Sequence, residues 1–330
     1  MIAKKILVTG GAGYIGSHCV LALLKEGFEV VIYDNLSTGH IETVETLKKY
    51  GSVDFYEGDL LNFDYLNSVI EKTKVCAVIH FAAFSQVGES VKNPQKYYIN
   101  NVSGSLNLFR AMLSNKVDKI VFSSSAATYG NPVFTPITEE HPQSPINTYG
   151  MTKLFIEKIL QDYKTAYGLN SAILRYFNVA GANSEGIVGE LHNPETHLIP
   201  NVLKSALGEY KEFSLFGDDY ETKDGTCIRD YVNVEDLADA HVKALKYLIE
   251  KGESLVLNLG TKEGNSVKEV FACCENVVGK KIPVKICPRR EGDPAVLVAD
   301  NKKAKELLSW EPKRNLEDSI KTAWNWEQKQ

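Results

Sequence analysis

The chain has 330 residues, 44% of them hydrophobic and 24% charged, with a formal net charge of -5 at pH 7. That length accommodates two domains, or one domain with a substantial second lobe, and the negative balance argues against nucleic acid or an anionic membrane as partner. No stretch approaches the ~18 apolar residues of a membrane span. The six cysteines, Cys19, Cys76, Cys227, Cys273, Cys274 and Cys287, contain no CxxC pair, and the seven histidines show no metal-ligand spacing. Neither a disulfide framework nor a metal is expected. The apolar run at Ile6-Leu7-Val8 is too short for a signal peptide, so a cytoplasmic enzyme acting on a small molecule is the expectation.

In chain order, residues 5–8, 29–33, 53–56, 77–81, 119–122 and 171–174 are mostly rich in Val, Ile and Phe and nearly continuous in hydrophobicity. That is the pattern of parallel strands buried on both faces. Residues 14–25, 63–72, 94–114 and 148–167 read as the helices between them. The alternation predicts βαβ units and an α/β fold with a doubly wound parallel sheet of Rossmann type. Beyond residue 179 prolines accumulate and the elements shorten, which predicts a smaller mixed lobe. The expected division is 1–178 for a dinucleotide-binding domain and 179–330 for a mainly substrate-binding lobe, with about 230–262 returning to the first.

Between the first strand and the first helix lies Thr9-Gly10-Gly11-Ala12-Gly13-Tyr14-Ile15-Gly16, with glycines spaced GxxGxxG. Glycine admits positive φ and lets the backbone approach a pyrophosphate at a helix N-terminus. Asp34 closes the second strand, eighteen residues past Gly16, where a carboxylate accepts from the adenosine ribose hydroxyls and repels a 2′-phosphate. NAD is therefore favoured over NADP. Gly58-Asp59-Leu60 follows the third strand and suits the adenine edge, although Asp59 equally suits a helix N-cap.

Ser123-Ser124-Ser125 ends the fifth strand, and Tyr149-Gly150-Met151-Thr152-Lys153 opens a long helix. Spacing of i, i+4 puts Tyr149 and Lys153 on one helix face. A phenol is a poor base at neutral pH, but a neighbouring ammonium and a positive nicotinamide ring favour the phenolate. Tyr149 then takes a proton from a substrate hydroxyl as the attached hydrogen leaves for NAD, while Ser125 orients the same hydroxyl.

Together these elements resemble the extended short-chain dehydrogenase/reductase family. The resemblance extends over nearly the whole chain through His80-Phe81-Ala82-Ala83, Val87-Gly88-Glu89-Ser90, Tyr97-Tyr98-Ile99-Asn100-Asn101-Val102, Arg175-Tyr176-Phe177-Asn178, Arg229-Asp230-Tyr231 and Arg289-Arg290-Glu291-Gly292-Asp293. It implies a Rossmann fold, tightly bound NAD, and inversion of carbon 4 of a UDP-hexose through a 4-keto sugar. By the resemblance, Gly10, Gly13, Tyr14, Ile15, Gly16, Asp34, Asn35, Asp59, Leu60, Phe81, Ala82, Ala83, Asn100, Ser123, Tyr149, Lys153 and Tyr176 line the NAD pocket. It likewise assigns Ser125 and Tyr149 to the sugar, and Asn178, His197, Leu198, Phe216, Arg229, Tyr231, Arg290, Asp293 and Leu297 to the rest of the substrate. A homodimer paired through 94–114 and 148–167 is the family expectation.

The chain departs from the family pattern at three positions. Ser85 stands where many relatives carry a lysine near the nicotinamide ribose, which implies looser NAD binding. His197 stands where an asparagine is expected, and Leu297 falls at the size gate beside the sugar, which implies little room for an N-acetyl group. Relatives that dehydrate nucleotide sugars place an Asp-Glu pair near the end of the fifth strand. Here the run is Ser125-Ala126-Ala127-Thr128, without a carboxylate, so dehydration is not expected.

Overall fold

The computed structural model describes residues 4–289 and 293–330. Its strands are β1 (Lys5–Thr9), β2 (Glu29–Asp34), β3 (Val53–Glu57), β4 (Ala77–His80), β5 (Lys119–Ser125), β6 (Asn170–Tyr176), β7 (Asn178–Ala180), β8 (Phe213–Phe216), β9 (Ile228–Asn233), β10 (Leu255–Leu259), β11 (Gly264–Ser266), β12 (Val284–Cys287) and β13 (Val296–Leu297). The helices are α1 (Tyr14–Lys25), α2 (Ile41–Leu47), α3 (Phe63–Thr73), α4 (Val87–Lys92), α5 (Pro94–Tyr97), α6 (Gly104–Ser114), α7 (Thr148–Tyr167), α8 (Leu198–Leu207), α9 (Val234–Lys251), α10 (Val267–Val278), α11 (Lys302–Leu308) and α12 (Leu316–Glu327).

The chain divides into two compact units. The first comprises Met1–Gly130, Gln143–Arg175 and Ala238–Leu257; the second comprises Asn131–Pro142, Tyr176–Leu237 and Asn258–Gln330. The first unit is built on a seven-stranded sheet in the order β10-β6-β5-β4-β1-β2-β3. β1 pairs in parallel with β2 and β4, β2 with β3, and β4 with β5. Chain order reverses between β1 and β4, which opens a crevice at the carboxyl ends of those strands. Strands buried on both faces explain the unbroken apolar runs: Ile6, Leu7, Val8, Val31, Ile32, Val78 and Ile79 are all fully buried. Leu66, Leu108, Phe109, Met112, Ile156 and Leu160 come from α3, α6 and α7 and complete that core.

The expected helix at 94–114 is not continuous. Tyr98–Ser103 winds as a π-helix between α5 and α6, the wider turn that often marks a functional segment. By contrast, α7 is regular over twenty residues. Asn147 Oδ1 accepts from the Gly150 N–H at 2.8 Å to start it, and Gly168 at φ 75° ends it.

The second unit has a four-stranded sheet in which β9 pairs with β7, β11 and β13, and a two-stranded sheet of β8 and β12. Its core gathers Ile199, Val202, Leu203, Tyr231, Val270, Cys274 and Ile320. No described helix is long and apolar enough to cross a membrane.

Candidate active site

In the first unit, each glycine of the turn after β1 has its own reason. Gly10 sits at φ 74°, and a Cβ there would lie 2.6 Å from the Ala82 nitrogen. A Cβ on Gly16 would overlap the Gly10 carbonyl oxygen. Gly13 differs: a Cβ there would meet nothing nearer than the Gly10 carbonyl at 3.5 Å. Protein packing therefore does not require glycine at 13, and the backbone there stays open to a ligand. Gly13 also starts α1 without a side-chain cap, so the first N–H groups and the helix dipole face that opening.

Asp34 ends β2 buried at 8% exposure. Its Oδ2 accepts from the Ala12 N–H at 3.0 Å and its Oδ1 from the Leu36 N–H at 2.9 Å. Burial raises its pKa and these two bonds oppose the rise. The carboxylate is thereby aimed beside the glycine turn. Asp59 accepts from Asn35 Nδ2 at 2.8 Å and from the Leu61 N–H at 2.8 Å; the N-cap of α3 is Asn62, not Asp59. Phe81 and Ala82 both donate their N–H to Thr9 O, at 2.9 and 3.1 Å, and the Phe81 ring lies 4.8 Å from that of His241.

Asn100 projects from the π-helical segment and donates to Asn101 Oδ1 at 2.9 Å. Asn101, fully buried, accepts from the Phe84 N–H at 2.9 Å and donates to Phe84 O at 3.0 Å and Thr152 Oγ1 at 3.1 Å. The π-turn thus ties the segment after β4 to α7. His80 completes this frame. Its Nδ1 lies 2.6 Å from Thr9 Oγ1 and its Nε2 2.8 Å from Ser105 Oγ. Burial, with Lys153 adding to it, lowers its pKa to about 3, so the ring is neutral and structural.

Tyr149 and Lys153 lie on α7, both buried. Ser125 at the end of β5 hydrogen-bonds the Tyr149 hydroxyl. Lys153 Nζ donates to Ser123 O at 2.7 Å and stands 5.8 Å from the centre of the Tyr149 ring. The expected lowering of the phenol pKa does not hold for this chain by itself: burial raises Tyr149, and only the Ser125 bond opposes it. Lys153 is affected in the opposite sense, lowered to about 7 by burial against the pull of Glu157. Both groups have given up solvation, so each favours its neutral form.

That has a consequence for stability. Between pH 7 and the ordinary lysine value of 10.5, the unfolded chain holds a proton that folded Lys153 has released, so stability rises with pH. Below that window both states are protonated and the desolvation penalty is complete. Lys153→Met is expected to abolish turnover yet raise the melting temperature more at about pH 6 than at about pH 10. Equal shifts at both would contradict this titration.

Behind the triad lies a charge network that sequence reasoning missed. Glu157, one helical turn beyond Lys153, is fully buried. It accepts from Arg175 Nε at 3.0 Å, Arg175 Nη2 at 2.6 Å, Ser124 Oγ at 2.5 Å and Gln143 Nε2 at 2.9 Å. Arg175 also donates to the Tyr129 hydroxyl at 2.9 Å. The fork-to-fork pairing fixes Ser124, and with it the two serines on either side. Arg175 stood in a family-like run, but nothing in that run named Glu157 as its partner.

In the second unit, β9 carries Arg229 and Tyr231 two residues apart, hence on one face. Asn178 of β7 is in register with Tyr231, and Leu297 of β13 with Arg229, so these four expected residues share one small sheet. Arg229 pairs with Asp293 and also donates to Ile228 O at 2.8 Å. Asp230 points the other way and accepts from the N–H groups of Thr261, Lys262 and Ala299; it is an anchor for those segments, not a partner of Arg229. Tyr176 ends β6, Phe216 ends β8 and Leu198 opens α8. His197 is drawn toward Glu190 and Glu195. Arg290 lies outside the described residues.

Residues 7–323 match a family model described as GDP-mannose 4,6 dehydratase. A UDP-glucose 4-epimerase of Lactobacillus helveticus is 52% identical over 98% of this chain and 96% of its own length, and that of Halalkalibacterium halodurans is 52% identical over 97% and 95%. Among solved structures, a UDP-glucose 4-epimerase of Stenotrophomonas maltophila with bound NAD and formylated UDP-arabinopyranose superimposes with a TM-score of 0.96 at 40% identity, covering 99% of this chain and 98% of that one. One from Bifidobacterium longum in complex with NAD+ and UDP gives a TM-score of 0.95 at 41% identity, with the same coverage. Within the family model's breadth, these relatives place the chain with epimerases, in accord with a carboxylate-free turn at Ala126–Thr128.

Proposed function

The chain belongs to the UDP-glucose 4-epimerase family, and from that premise we propose that it interconverts UDP-galactose and UDP-glucose with retained NAD. The observation that carries this reading is the Ser125–Tyr149 hydrogen bond, with Lys153 on the same helix, in a unit whose glycine turn fits a pyrophosphate. When bound, NAD supplies the hydride acceptor and donor. Tyr149 takes the 4-hydroxyl proton while Ser125 holds the same oxygen, leaving a ketone at carbon 4. The Asp34 carboxylate, held by two backbone N–H groups, receives the adenosine ribose hydroxyls, and Asp59, Leu60, Phe81, Ala82, Asn100, Ser123 and Tyr176 line the remainder. Asn178, Leu198, Phe216, Arg229, Tyr231, Arg290 and Asp293 grip the UDP part. Arg229 must exchange its Asp293 partner, at least in part, for the diphosphate. A firm hold on UDP and a loose one on the hexose lets the keto sugar turn, after which Tyr149 returns the proton. Leu297 disfavours an N-acetyl group.

Purified protein mixed with UDP-galactose and no added NAD is expected to yield both UDP-hexoses, read from their anomeric protons by NMR. Activity that requires added NAD would keep the reaction and direct attention to Ser85; no conversion under either condition would remove the assignment.

A homodimer and a cytoplasmic location complete the proposal. Leu106 on α6 and Phe155 on α7 stay 37% and 44% exposed, and Ile99 44%, an apolar face suited to a second copy. Phe155→Glu is expected to shift the sedimenting species toward monomer; an unchanged sedimentation coefficient would place the interface elsewhere. Among the described residues no disulfide joins the cysteines.

A further inference from the structure

The loop that leads into α8 carries Glu190, His192, Glu195 and His197. Folding brings one ligand-capable atom from each within 4.8 Å of the others. His192 Nδ1 lies 2.8 Å from Glu190 Oε1, and His197 Nδ1 lies 2.7 Å from the same oxygen. His197 Nδ1 is also 3.0 Å from Glu195 Oε1, and the two imidazole centroids are 5.1 Å apart. Two imidazole nitrogens and two carboxylates around one point form the donor set of a four-coordinate transition metal.

The supports behind these groups are what separates a built site from a chance meeting of side chains. Glu190 is buried, and its carbonyl accepts from Trp326 Nε1 at 2.9 Å. The preceding Gly189 sits so close to that indole that a Cβ would collide with it. Glu195 Oε1 accepts from the N–H groups of Thr196 and His197, each at 2.7 Å, and Asn201 Nδ2 donates to His197 O at 2.8 Å. Outer hydrogen bonds of this kind orient ligands before a cation arrives. Two carboxylates balance the charge of a divalent ion, and a cation that binds displaces the proton from each imidazole nitrogen it takes as ligand.

We propose that Glu190, His192, Glu195 and His197 bind one divalent cation of the zinc class, which clips this loop to the start of α8. The imidazole nitrogens disfavour magnesium and calcium, which take oxygen ligands. The competing description is a set of His–Glu hydrogen bonds and nothing more.

The test uses full-length protein without a histidine tag, stripped with a chelator and titrated with ZnCl2 by calorimetry. Wild type is expected to take up about one zinc per chain with a Kd below ~1 µM, undiminished by excess MgCl2. His192→Ala and Glu195→Gln are each expected to weaken uptake by at least about 100-fold with circular dichroism and NAD content unchanged. Substituted cobalt should show the intense visible bands of four-coordinate geometry in wild type and lose them in His192→Ala. No saturable zinc uptake by wild type, or uptake equal in wild type and both variants, would overturn the site. Should His192→Ala fail to fold, Glu195→Gln alone decides between these outcomes.

Discussion

Tyr149→Phe is expected to lower kcat about 10³-fold, the range lost with a positioned acid–base group, and to leave NAD bound. The substitution keeps the ring that fills the space beside Lys153 and removes only the hydroxyl that hydrogen-bonds Ser125. Burial raises the phenol pKa in the chain itself, so it holds its proton until a positive nicotinamide ring and the substrate enter. The reactive base therefore forms in the complex, and the expected loss lies in kcat with KM nearly unchanged. Rate by a coupled assay and cofactor by its release on denaturation check both parts. A variant that keeps a tenth or more of the rate would remove Tyr149 from proton transfer.

Glu157→Gln should cost about 3–5 kcal/mol of stability. The glutamine nearly keeps the shape of a carboxylate that receives Arg175, Ser124 and Gln143. What it removes is the carboxylate charge 2.6 Å from Arg175, which is itself buried, and an uncompensated buried charge is the expensive state. Replacing both partners by methionine is expected to cost less than the single change for that reason. Urea unfolding of the wild type and the two variants provides the measurement. A loss below about 1 kcal/mol for Glu157→Gln would mean that the pair is solvated, contrary to its burial.

The parallel sheet was legible because strands buried on both faces must be apolar throughout, and β1, β2 and β4 read as unbroken runs. The spans of α1 and α7, read as 14–25 and 148–167, match the structure, where Asn147 and Gly168 cap the longer helix. What local pattern could not show was pairing across the chain. Glu157 reads as an ordinary helix carboxylate until β6 brings Arg175 to it, eighteen residues later. The π-turn at 98–103 is equally hidden, because apolar periodicity survives one widened turn. His192 and His197 lie on a loop interrupted by Pro194, where neither helical nor knuckle spacing applies, so their convergence with Glu190 appears only in three dimensions. The Tyr149 expectation joined the Lys153 ammonium to a positive nicotinamide ring, and in the chain alone burial raises the phenol instead.

The most direct measurement is the fate of deuterium placed at carbon 4 of UDP-galactose during conversion in ordinary water. If hydrogen leaves carbon 4 for a retained cofactor and returns to the opposite face, the UDP-glucose formed keeps the label at carbon 4. Loss of the label to solvent would mean that carbon 4 is inverted by proton exchange with water, and would contradict oxidation and return through Tyr149 and NAD.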